Sequence, residues 1–68
     1  MTNTALRIAV VQSGKEQREI AALARMHETR LSSIIRGRLK PYEGERLRIS
    51  GVLQRPVGEL FPETDPQP

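Results

Sequence analysis

Sixty-eight residues without a cysteine, with one histidine and a formal net charge of +3, describe one small unstapled domain. A chain this short buries only about 60% of the surface that its unfolded form exposes, so modest stability is expected. Disulfides and thiolate metal sites are excluded, and His27 alone makes no metal centre, so no cofactor is expected.

Small domains without staples tend to be helical and often dimeric. No stretch approaches the ~20 apolar residues of a bilayer span. Residues 1–5 lack the basic-then-apolar layout of a signal peptide, so a soluble, cytoplasmic protein is expected. The charge is unevenly placed. Arg25, Arg30, Arg36, Arg38 and Lys40 crowd one stretch against a single acid, Glu28, while Glu63 and Asp65 sit in the tail. Such clustering points to a polyanionic partner or to a solvated basic face.

Residues 5–12 form an apolar segment that contains Arg7 and ends at Ser13-Gly14. Its β-branched content permits a strand. The spacing of Leu6, Ala9 and Val10 and the stop at Gly14 favour a helix. A second helix is predicted over 16–24, with Ile20, Leu23 and Ala24 on one face and Glu16 and Glu19 near its positive end. A third, over 28–36, places Leu31, Ile34 and Ile35 inward and Glu28, Thr29, Ser32 and Ser33 outward, with Gly37 as its left-handed stop. Pro41 blocks continuation.

The fourth predicted helix spans 43–53 and carries Leu47, Ile49, Val52 and Leu53, weakened by Gly44 and Gly51. Pro56 suits the start of a short fifth helix over 57–61. The proline-rich residues 62–68 are expected to be a disordered tail, leaving 1–61 as the folded domain.

Two short helices joined by three or four residues can cross steeply only where the side chains at the crossing are small. Ala21 meets that need, with Ile20 and Ala24 beside it and Met26 able to plug the turn. Leu31 and Ile34 then face inward, and the polar face of the third helix is left free to enter a major groove. Here the chain resembles the phage repressor and Cro-type helix-turn-helix domains, often called Xre-like. The matching residues are QREIAALARMHETRLSSIIRG, 17–37, followed by RLKP, with RISGVLQRPVGELFP resembling the family's last two helices. The resemblance runs over about 6–62 and implies an all-α, five-helix lambda-repressor-like DNA-binding domain with the helix-turn-helix at helices two and three. Two departures stand out: Arg25 where the family usually has a turn glycine, and Glu16 where Ser or Thr usually caps.

What the resemblance implies is a transcriptional regulator that binds double-stranded DNA, in the main a palindromic operator. Gln17 matches the family's phosphate-clamping residue at a helix start. Arg36, Arg38 and Lys40 follow the recognition helix as backbone contacts, and Arg18 and Arg30 join that set. His27, Glu28, Thr29, Ser32 and Ser33 match positions facing base edges, where Glu28 can accept from cytosine N4 and Thr29 can offer a methyl to thymine. A homodimer is expected, formed off or only on DNA. Val10, Ile35, Val57, Leu60 and Phe61 are the apolar candidates for its interface, unless they complete the monomer's core.

Catalysis is not expected. His27, Glu28, Ser32 and Ser33 are hydrolase residue types, but one helix cannot converge a nucleophile, base, orienter and oxyanion hole. The alternative is an antitoxin-type protein that binds a toxin partner and regulates its own operon, a role that domains of this family also serve.

Overall fold

The computed structural model describes residues 2–62, so all of the expected tail 62–68 but Pro62 lies outside them. Among the described residues there are five helices and no strand: α1 (Thr4–Ser13), α2 (Gln17–Leu23), α3 (Glu28–Ile35), α4 (Glu43–Leu53) and α5 (Val57–Leu60). No described helix is long and apolar enough to cross a membrane.

The β-branched residues of α1 accept a helix because both ends are stopped and one face is buried. The Asn3 side chain accepts from the Leu6 amide at 3.0 Å, which satisfies one of the free donors of the first turn. Gly14 closes the other end at φ +73°. Asn3 also reaches across the fold. Its amide donates to the Ile35 carbonyl at 2.8 Å and its side chain donates to the Leu60 carbonyl at 2.8 Å. The start of α1 is thereby fastened to the ends of α3 and α5.

Every helix sends a fully buried side chain to one core: Leu6, Ile20, Leu31, Ile49 and Leu60, joined by Phe61. Ala21 and Ala24 are buried beside them, where α2 and α3 approach each other. Leu23, expected to share a face with Ile20 and Ala24, is exposed, and so is Leu47 of α4. At 100° per residue, Leu23 falls well off the Ile20–Ala21–Ala24 direction, and Leu47 points nearly opposite to Ile49. The five apolar residues offered for pairing are taken up within the chain. Ile35, Leu60 and Phe61 are core residues, and Val10 and Val57 pack against the core while keeping some surface. A domain this small needs nearly all its large apolar side chains for one core.

Helices α2 and α3 end in the same hydrogen-bonded motif. At the first, the Arg25 amide donates to Ala22 at 3.1 Å and that of Met26 to Ala21 at 2.9 Å. At the second, Gly37 donates to Ile34 at 3.0 Å and Arg38 to Ser33 at 2.9 Å. Both are Schellman closures, which require a left-handed residue after the cap. Gly37 supplies it at φ +77°, and Arg25 supplies it at φ +57° despite its Cβ.

An ion pair joins α3 to α4. Arg30 donates to both carboxylate oxygens of Glu45, which is only 5% exposed. The Tyr42 amide donates to the same carboxylate at 2.7 Å, and the Arg30 guanidinium lies 4.7 Å from the Tyr42 ring centroid. A buried carboxylate is tolerable only when its lone pairs are used in this way. The hydrogen bonds from Arg30 hold the Glu45 carboxyl below its ordinary value, against the opposing effect of burial, with the Tyr42 amide assisting.

Two tests follow from these features. Because the two closures share one bonding pattern, replacing their left-handed residues isolates backbone strain. Arg25→Gly should raise stability by up to about 1 kcal/mol and Gly37→Ala should lower it by about 1 kcal/mol, both read from urea unfolding. The second concerns pH. Glu45 has a depressed folded pKa, so its contribution is complete above the ordinary glutamate value and is lost as pH falls through the folded one. The gap in melting temperature between wild type and Glu45→Gln should therefore be widest near pH 7 and narrow steadily below about pH 4.5. A gap independent of pH would show that the ion pair does not stabilise the fold.

Candidate nucleic-acid interface

With Leu31, Ile34 and Ile35 buried, the helical period turns Glu28, Thr29, Ser32 and Ser33 to the opposite side of α3. These four side chains line one open groove together with Gln17, Arg36 and Arg38. Gln17 is the first residue of α2, Arg36 is the C-cap of α3, and Arg38 follows the left-handed Gly37. The closure at Gly37 fixes the direction in which the chain carries Arg38 after α3 ends. Glu28, Thr29, Arg36 and Arg38 are exposed, whereas Gln17, Ser32 and Ser33 are half-buried. None of the seven side chains makes an ion pair or side-chain hydrogen bond among the described residues.

The remaining residues predicted for the site are elsewhere or engaged. His27 is exposed at the N-cap of α3, where its side chain makes no capping bond. Lys40 is exposed but does not line the groove. Arg18 pairs with Glu16 at 2.9 Å on the open surface, a contact worth little in water. Arg30 departs most from expectation. Its guanidinium is held by Glu45 and covered by Tyr42, so it is a structural link between helices and not a free cation.

The groove continues past Gln17, Ser32, Arg36 and Arg38 to Thr2 and Arg7. Sequence reasoning passed over both. Arg7 shows in the sequence only as a lone charge inside an apolar run, and nothing local indicates which side of α1 meets the groove. The chemistry of the whole surface is that of a polar, hydrogen-bonding strip flanked by cations. Among the described residues, no three His, Cys, Asp or Glu side chains gather to hold a metal ion.

Comparison of the chain with protein-family models, curated proteins and solved structures finds no match.

Proposed function

We propose that the protein is a sequence-specific double-stranded-DNA-binding regulator of the repressor and Cro kind, acting in the cytoplasm. In this reading α2 and α3 are the helix-turn-helix of a lambda-repressor-like domain. The observation that carries it is the groove that the outward stripe of α3 lines together with Gln17 and the unpaired Arg36 and Arg38.

The dimensions suit the task. The eight residues of α3 span about 12 Å at about 1.5 Å per residue, and the major groove of B-DNA is about 12 Å wide. Arg36 and Arg38 supply the sequence-independent phosphate contacts, and Gln17 fixes the register. Thr29, Ser32 and Ser33 offer hydroxyls and a methyl to base edges. Glu28 adds discrimination, since a carboxylate facing a polyanion is repelled unless it accepts from a cytosine amino group.

One recognition helix reads only a few base pairs, too few for a useful specificity ratio. The protein accordingly binds a palindromic site as a homodimer, its half-sites about 34 Å apart on one face of the duplex. Of the five apolar residues considered for pairing, only Val10 and Val57 keep surface for a second copy, so the dimer is weak until DNA aligns it.

Selection of bound duplexes from a random pool should return a two-fold symmetric motif, and absence of binding to any duplex at low salt would overturn the reading. On the selected site, Arg38→Ala should lower the slope of log K against log salt by about 0.9 and weaken all sequences alike. Glu28→Ala and Ser33→Ala should instead change which base is preferred, by about 1–3 kcal/mol at one position. Mass measurement of the complex should show two protomers per site, bound cooperatively. One protomer per site would rule out the dimer.

A further inference from the structure

The nine arginines of the chain divide into two groups. Five are engaged within the molecule: Arg18 with Glu16, Arg30 with Glu45, and Arg55 with Glu59 and Gln12. In the same group, Arg46 donates to the Pro41 carbonyl at 3.1 Å and Arg48 to the Ala24 carbonyl at 2.7 Å. Arg7, Arg25, Arg36 and Arg38 make no ion pair or side-chain hydrogen bond among the described residues. Three of these four line one groove, and no carboxylate lines the part they share with Thr2, Gln17 and Ser32.

We propose that Arg7 of α1 is a DNA-backbone contact, which extends the phosphate-binding wall beyond α2 and α3 onto a third helix. The proposal rests on the DNA-binding reading above and adds a contact to it. Three guanidiniums around one concavity repel one another, and an anion placed among them removes that repulsion. A phosphate accepts from guanidinium donors in pairs, so it fits this lining better than a single carboxylate would.

The position of Arg7 argues against a role in the fold. It lies within the first turns of α1, where the helix end is positive and a cation gains nothing from the dipole. The same first turn contains no acid to offset it. Its side chain is exposed while its neighbour Leu6 is fully buried. The residue that fits the core is Leu6, and the one that fits the groove is Arg7.

The test compares wild type, Arg7→Ala, Arg7→Lys and Arg55→Ala on the duplex selected by wild type. Arg55 supplies the control because it carries the same charge and does not line the groove. Arg7→Ala should reduce the salt slope by about 0.9, so that the affinity lost between 50 and 200 mM salt shrinks by about three- to fourfold. It should leave base preference and melting temperature unchanged, while Arg7→Lys keeps the slope. An Arg7→Ala slope equal to that of wild type overturns the contact and leaves the DNA-binding reading intact. Equal reductions for Arg7→Ala and Arg55→Ala reduce the effect to net charge and also overturn the contact. If Arg7→Ala melts early, the slope retained or lost by the charge-preserving Arg7→Lys, paired with Arg7→Gln, decides the matter. Wild type that binds no duplex overturns the DNA-binding reading itself.

Discussion

The reversal of the chain between α2 and α3 passes through one residue held at φ +57°, Arg25, and the disposition of the groove follows from it. A left-handed residue at this point lets the Arg25 and Met26 amides close the end of α2. It also brings α3 across Ala21 and Ala24, whose small side chains permit the approach. A larger residue at Ala21 would push α3 outward and carry Ser32 and Ser33 away from Gln17. Arg25 tolerates a conformation that costs a non-glycine residue roughly 1 kcal/mol or more, because the surroundings over-determine the turn. One part of that constraint is Arg48, which reaches from α4 to take the Ala24 carbonyl.

Helix α4 works as a brace on the motif. Arg48 holds the end of α2, and Glu45 accepts from Arg30 of α3. Both helices of the pair are therefore tied to a third through charge-assisted hydrogen bonds as well as through the core. This explains how α4 persists with Gly44 and Gly51 inside it. Each glycine weakens a free helix by up to about 1 kcal/mol, but here tertiary contacts at Glu45, Arg48, Ile49 and Leu53 decide. Tying Arg30 down also separates it from Arg36 and Arg38, which stay available to an outside anion.

Much of this architecture was legible in the sequence because it is governed by short-range periodicity. Spacing at Leu6, Ala9 and Val10 separated helix from strand in α1, and Ala21, Met26, Leu31 and Ile34 marked the α2–α3 turn. The four outward residues of α3 followed from its three inward ones. What escaped reading depends on distant partners. Arg30 looks like any other cation until Glu45, fifteen positions later, is brought beside it. Asn3 gives no local sign that it will bind the ends of α3 and α5. Gln54 ends α4 at φ +57° with no glycine to announce it. Ile35, Leu60 and Phe61 could equally serve a dimer or a core, and only the packing of five helices around one centre assigned them.

A small core and an unbalanced groove belong to the same design problem. With few apolar residues, the fold leans on buried or half-buried polar links such as Asn3, Arg30–Glu45 and Arg48 to fix helix positions. Those links take up arginines and pair or satisfy them. The cations left over are then free of partners, and three of them face a single surface that carries hydroxyls and an amide but only one acid, Glu28. Arg7, Arg36 and Arg38 are all exposed, so water and salt screen their mutual repulsion and leaving them unpaired costs the fold little. Among the described residues, cations that could have stabilised the monomer by pairing are instead left without partners on this one surface.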